Sequence, residues 1–331
     1  MRRTAVRQPG CHTSAHPVIR ETVDTSRTPP TWASFLRDWD RSLRAADHPA
    51  TTRYNYLLAA TQLCGFLRTF GHARSDAGRD PLAVTKADIE RFQVWMIETR
   101  SASTALNKHK SLQQFFSWLV AEEELDVSPL ARVRQPRKRK KLIPIIGEDE
   151  TRKVLAACDR RTFAGARDEA IIRMFVNTGA RLSEVADLTL DDIDMSLDTA
   201  LYHGKGAKDR KVRFGPKTGR ALSRYIRMRA LHRGAPLPSL WLAEKGAAHL
   251  SDNGIQMMLR RRGKAAGVEH LHAHRWRHTY AHEWKRAGGD TGDLMVVLGW
   301  SSDEMPRHYG ASAAAERAQE TQARLRIGED V

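Results

Sequence analysis

Residues 129 to 146, PLARVRQPRKRKKLIPII, are poorly suited to the interior of any compact fold. Pro129, Pro136 and Pro144 lack a backbone donor and discourage helix. The unbroken basic run of Arg137, Lys138, Arg139, Lys140 and Lys141 between them resists burial. The stretch reads as an extended linker over 132–146, so a chain of 331 residues divides into two domains of ordinary size rather than one large core.

Upstream of the linker the apolar residues recur at helical spacing. Residues 1–28 mix Arg, Thr, Ser, His and Pro without periodicity and read as a disordered or loosely docked arm. Trp32, Phe35, Leu36, Trp39 and Leu43 then mark one helix, and Tyr54, Leu58, Phe66, Leu67 and Phe70 a second. Thr85 with Asp88 is an N-terminal signature leading into Ile89, Phe92, Met96 and Ile97. A fourth helix from about Ser103 carries Leu112, Phe115, Phe116 and Leu119. Four helices over 29–131 make a small all-α domain with these aromatics as its core. Lys108 and Lys110 fall off the apolar stripe, either facing a phosphate backbone or simply solvated.

Downstream, over 147–331, helices are expected at 148–158, 166–178, 181–187, 217–232, 252–266, 275–287, 291–298 and 312–325. Residues 199–215 alternate apolar and polar on either side of a Gly204-Lys205-Gly206 turn and read as a β-hairpin. The fold class is therefore mainly α: an all-α N-terminal domain followed by a mixed, helix-rich domain with a small antiparallel sheet.

Charge narrows the partner. Fifty-five Lys and Arg against thirty-nine Asp and Glu give +16, a field that concentrates polyanions and points first to nucleic acid. Cys11, Cys64 and Cys158 form no C-x-x-C pair, which speaks against a disulfide framework and fits a reducing cytosol. The N-terminus has no apolar signal segment, and no apolar run is long enough to span a bilayer.

The most unusual stretch is HLHAHRWRHTYAHEW, residues 270–284, with five histidines and two arginines. It admits a metal reading: His278 and His282 share a helix face, and His270, His272 and His274 alternate as on a strand. Against zinc, Thr279 follows His278 where a zinc hydrolase has its glutamate, and Arg275, Arg277, Lys285 and Arg286 crowd any dication. The anion reading asks for a second arginine, since two planar guanidinium forks can hold a phosphodiester bidentately. TGARLSEVADL, residues 178–188, supplies Arg181 after a Gly-Ala break, with Glu184 one turn on to hold or balance it.

LGWSSDEMPRHYG, residues 298–310, adds a tyrosine in a short polar segment. Taken in order, Arg181 in A-R-x-x-E, Lys205 in G-K-G-x-K-x-R, His274-x-x-Arg277-His278, Trp300 in L-G-W and Tyr309 nine residues later resemble the active-site set of the tyrosine recombinases, the phage-integrase family with its Xer-like site-specific recombinases. The helical first domain resembles that family's core-binding, SAM-like domain.

The resemblance implies a site-specific DNA recombinase or integrase that needs neither metal nor ATP, because bond energy is kept in a covalent intermediate. Tyr309 would attack the phosphate and join the 3′ end, while Arg181 and Arg277 clamp its non-bridging oxygens. Lys205 would protonate the departing 5′ oxygen, with Lys208 and Lys211 nearby as rivals that more naturally touch the backbone. His274 would assist Tyr309; Trp300, which donates one hydrogen bond but transfers no proton, would pack beside the phosphate, with His278 and Glu184 in support. Gly310 and Ala311 after the tyrosine, and Trp276 in the histidine segment, depart from the common family pattern without removing any of these groups. The expected partner is duplex DNA with inverted half-sites, bound by a homotetramer spanning two sites, with residues 312–325 passed to a neighbour and accessory or partner recombinase proteins setting direction. No membrane partner is expected, and the location is the cytoplasm, at the nucleoid. Competing readings are a catalytically inactive DNA-binding relative and a type IB topoisomerase.

Overall fold

The computed structural model of the chain describes residues 23, 28–71, 75–137, 144–204, 209–301 and 318–326. The chain divides into two compact units, Met1–Lys141 and Leu142–Val331. It is mostly helical, with one small antiparallel sheet.

The first unit holds α1 (Pro30–Ala45), α2 (Ala50–Phe70), α3 (Lys86–Thr99) and α4 (Ala102–Ala121). Trp32, Trp39, Phe92, Phe115 and Phe116 are fully buried at its centre, and the Trp32 indole donates to the Ala77 carbonyl at 3.1 Å, so burial leaves no polar atom of that ring stranded. Thr85 and Asp88 close the expected capping box at the start of α3, a cap worth about 1 kcal/mol. Two expected core residues lie elsewhere: Phe70 and Ile97 are exposed. Phe70 is the last residue of its helix, and Ile97 sits one step past the stripe of Ile89, Phe92 and Met96. Tyr54 and Leu58 are half-buried, because α2 turns Leu57, Ala60, Leu63, Cys64 and Leu67 inward instead. Val23 packs against this core; the rest of the arm before Thr28 and Lys138–Lys141 of the basic run lie outside the described residues.

The second unit runs α5 (Glu148–Ala156), α6 (Phe163–Thr178) and α7 (Leu182–Ala186), then β1 (Ile193–Asp194), β2 (Thr199–Tyr202) and β3 (Arg210–Arg213). It continues through α8 (Pro216–Ala230), α9 (Asp252–Ala265), α10 (Ala273–Arg286) and α11 (Thr291–Leu298). The strands pair antiparallel in the order β1-β2-β3, with Tyr202 opposite Arg210 and Ala200 opposite Val212. This register points Ala200, Tyr202, Val212 and Phe214 into the core. Helix α6 is the spine: Ile171, Ile172, Met174 and Phe175 are all fully buried. The charged residues at its start are buried too, and paired. Asp168 accepts from Arg167 at 2.8 Å and from Arg262 at 2.7 Å, which fastens α9 to α6. Trp276, the unusual aromatic of the histidine segment, stacks parallel on Phe175 with ring centroids 6.1 Å apart.

Of the final helix expected over 312–325, residues 318–325 are helical and exposed along their length. Among the described residues no helix is long and apolar enough to cross a membrane.

Candidate active site

The site is assembled where α6, α7, α10, α11 and β3 meet. Gly179 ends α6 in the left-handed conformation, φ +59°, which turns the chain so that Arg181 becomes the N-cap of α7. Three residues on, Glu184 accepts from the Arg181 backbone N–H at 2.7 Å and from its Nη1 at 2.6 Å. The Arg181 side chain remains 41% exposed, whereas the Glu184 carboxylate is buried.

Arg277, on α10, is buried, and it donates to the Gly179 carbonyl at 3.0 Å and the Leu298 carbonyl at 2.6 Å. The Trp300 ring lies against it, its centroid 5.2 Å from the guanidinium carbon. Helix α11 opens on an Asp290 cap and closes at Gly299, φ +61°. Its last carbonyls, the negative end of the helix dipole, are taken up by guanidinium groups: Val297 by Arg210 Nε at 2.7 Å, Leu298 by Arg277, Gly299 by Arg181 Nη2 at 3.0 Å. A Cβ at Gly299 would stand 3.2 Å from Arg210 Nη1 and 3.5 Å from Arg181 Nη1, so the glycine lets two guanidinium groups approach one stretch of backbone.

Arg210 completes the cluster. From β3 its Nη1 and Nη2 grip both oxygens of Glu184, at 3.0 and 2.8 Å, and its guanidinium lies over the Tyr202 ring. Burial alone would raise the Glu184 carboxyl, but the hydrogen bonds from Arg210 and from the Arg181 backbone and side chain outweigh it and hold the group at about 2. Two guanidinium groups share the Glu184 carboxylate and Arg277 adds a third positive charge at the neighbouring carbonyls, which leaves the cluster positive and suited to an anion.

His274 stands at the open edge of the site, one turn before Arg277. Partial burial of its ring, then the positive charges of Arg277, His272 and Arg181, hold its imidazolium below the ordinary 6.5. His278 is buried and packs edge-on against it, centroids 4.7 Å apart. The alternating histidines do not share a strand face: α10 begins at Ala273, so His274 and His278 lie on a helix and His270 and His272 precede it. Among the described residues no group of three or more His, Cys, Asp or Glu side chains is arranged to hold a metal ion.

At the root of the β2–β3 hairpin, His203 bridges Asp192 at 3.0 Å and Asp209 at 3.1 Å, and the Asp192 hydrogen bond raises its basicity. Lys205, Lys208 and Tyr309 lie outside the described residues. Two other tyrosines of this unit are engaged structurally. Tyr202 is buried against Thr178 Oγ1, and burial pushes its hydroxyl far up. Tyr225 donates to the Leu240 carbonyl and is pushed up to about 12, again by burial. Tyr280 is half-buried, its hydroxyl likewise raised by burial.

Of the DNA-contact residues expected on the first unit, Lys108 is half-buried on α4, which lowers its amine, and Lys110 is exposed. Arg137 and Lys211 are exposed. Arg210, the last residue of the G-K-G-x-K-x-R motif, is the member of this cluster to which the sequence alone assigned no role. Its signal was the strand alternation that turns position 210 inward while Lys211 points out.

The sequence profile of the Phage integrase family matches residues 145–316, and that of the Phage integrase N-terminal SAM-like domain matches residues 35–125. A tyrosine recombinase XerC from Bacillus pumilus is 32% identical over 205 residues, covering 60% of this chain and 67% of that protein. Among solved structures, XerH site-specific recombinase bound to a palindromic difH substrate, a post-cleavage complex, superposes with a TM-score of 0.67 at 20% identity, covering 88% of this chain and 94% of that one. A lambda integrase tetramer bound to a Holliday junction gives a TM-score of 0.65 at 17% identity, over 85% of this chain and 80% of that one.

Proposed function

Because this chain belongs to the phage integrase family, we propose that it is a site-specific DNA recombinase that cleaves and rejoins duplex DNA through a 3′-phosphotyrosyl intermediate, without metal or ATP. The observation that carries the reading is the convergence of Arg181 and Arg277 on successive carbonyls at the end of α11, the segment that leads toward Tyr309.

In the proposed reaction the Tyr309 hydroxyl attacks the scissile phosphorus, the P–O5′ bond breaks and a 5′-hydroxyl leaves. The reverse attack by a 5′-hydroxyl of another duplex restores the phosphodiester, so no external energy source is consumed. Arg181 approaches the non-bridging oxygens from the open side and Arg277 from the buried side, and their prepositioned charge offsets what builds up in the transition state. His274, kept neutral at physiological pH, accepts the tyrosine proton, and Lys205 gives one to the leaving oxygen. Trp300 holds Arg277 in place through its ring, His278 supports His274, and Glu184 aims Arg181. That Tyr202 and Tyr225 are locked into the core supports Tyr309 as the nucleophile.

Lys108, Lys110, Arg137, the basic run Lys138–Lys141, Lys208 and Lys211 contact phosphates and supply salt-dependent, sequence-independent affinity. The substrate is a duplex with inverted half-sites, and four protomers act on two sites. The exposed helix at 318–325 docks on a neighbour, and accessory or partner recombinase proteins set direction. The protein acts in the cytoplasm at the nucleoid.

The test uses duplexes drawn from the DNA flanking the gene, each nicked beside the cleavage point so that the released fragment diffuses away. A covalent protein–DNA adduct in EDTA, lost in Tyr309→Phe, is expected. No adduct on any such duplex would leave a DNA-binding relative without chemistry, and supercoil relaxation by a monomer would make it a topoisomerase.

A further inference from the structure

Arg210 makes three hydrogen bonds to two separate supports. Its two terminal nitrogens hold both oxygens of Glu184, and its Nε holds the Val297 carbonyl, so a single side chain on β3 spans α7 and the end of α11. The Glu184 oxygens are also the acceptors for Arg181, Oε1 for its Nη1 and Oε2 for its backbone N–H. Without Arg210, Glu184 and Arg181 would be an i,i+3 pair at a helix start with one partner partly in solvent, an arrangement that orders side chains weakly. With it, the carboxylate is fixed in plane by a fork, and the direction of Arg181 is set by the sheet and by α11 together. Arg210 is itself buried and braced over the Tyr202 ring, so it has little freedom to pass on.

We infer that Arg210 is a positioning residue for DNA cleavage: it fixes Glu184 and the C-terminus of α11, and through them the aim of Arg181 at the scissile phosphate. The inference rests on the reading of the site given above. Arg210 touches no reacting atom in this scheme. Its effect is on how well Arg181 meets charge on a non-bridging oxygen, and that effect should disappear when the charge is absent.

The experiment compares wild type with Arg210→Lys, which keeps the positive charge but cannot span Glu184 and Val297 at once; Arg210→Ala would strand a buried carboxylate. Single-turnover adduct formation is measured at saturating DNA on two nicked duplexes, one with a normal scissile phosphodiester and one with a neutral methylphosphonate there. Rates are normalised to the active fraction from burst amplitude, and DNA affinity is measured alongside. On the phosphodiester the variant should cleave about tenfold to hundredfold more slowly, with DNA affinity unchanged. On the methylphosphonate the deficit should shrink to within about threefold, because the two changes are coupled rather than additive. An equal deficit on both substrates, which a generally loosened fold would produce, overturns the inference, as does no deficit on either. If wild type itself forms no adduct, the assignment of the site fails and this inference with it.

Discussion

Replacing Glu184 by Gln should expose how much the buried carboxylate contributes. The residue is 6% exposed and holds two guanidinium groups. Lowering its carboxyl from the ordinary 4.5 to about 2 corresponds to about 3 kcal/mol favouring the ionised, folded form. Because the folded value is depressed, this stabilisation is present above pH 4.5 and is lost as pH falls toward 2. Integration of the two titrations leaves only about 1 kcal/mol of it at pH 3. Glu184→Gln has no charge to lose, so it should be about 3 kcal/mol less stable than wild type at pH 7, and the gap should close by about 2 kcal/mol at pH 3. For a unit of this size the neutral-pH loss corresponds to a fall in melting temperature of about 6–12 °C. Urea unfolding of both full-length proteins at a series of pH values measures the difference directly, since the first unit is identical in the two and cancels. Parallel stability curves from pH 7 to pH 3 would refute the argument, because they would mean that the Glu184 proton is bound alike in the folded and unfolded chain.

Two further outcomes follow from the same geometry. Gly299→Ala should cost about 1–2 kcal/mol for a left-handed alanine; Gly179→Ala should cost more, since its Cβ would also stand 2.9 Å from both Leu298 Cδ2 and Tyr280 Cγ, and equal melting temperatures for the two variants would count against this packing. His274, held below 6.5 by partial burial and by Arg277, should keep cleavage flat from neutral pH down to that value and let it fall only below; His274→Gln should lower the plateau about 100-fold and abolish the acid limb in adduct-formation rates, and a limb that persists in the variant would remove His274 from the proton transfer.

Much of the helical frame was legible because each helix carries its own local evidence. The Thr85–Asp88 box, the aromatic stripe of α4 and the Gly179 break before Arg181 need no knowledge of distant residues. Five separated motifs in family order were enough to point to the Arg181, Arg277 and Trp300 cluster. Arg210 was harder to see because the hairpin holds Lys205, Lys208, Arg210, Lys211 and Arg213 in nine positions, and composition cannot say which one turns inward. Only the pairing of Tyr202 with Arg210 decides it. The helix expected over 275–287 begins at Ala273, earlier than the alternating histidines suggest, and it is fixed by Trp276, Arg277 and Ala281, all buried. Phe70 and Ile97 show the limit of periodicity at helix ends, where the stripe runs off its partner.

All three arginines at the end of α11 hold main-chain oxygens, and this has an evolutionary consequence. The side chain of Val296, widely exposed, can drift without disturbing the placement of positive charge, whereas Val297 packs against the core and Leu298 is fully buried. The sensitive positions are those that bend the chain itself, above all Gly299. Variation in chemistry should therefore be confined to the exposed face of this stretch, with backbone shape held strictly.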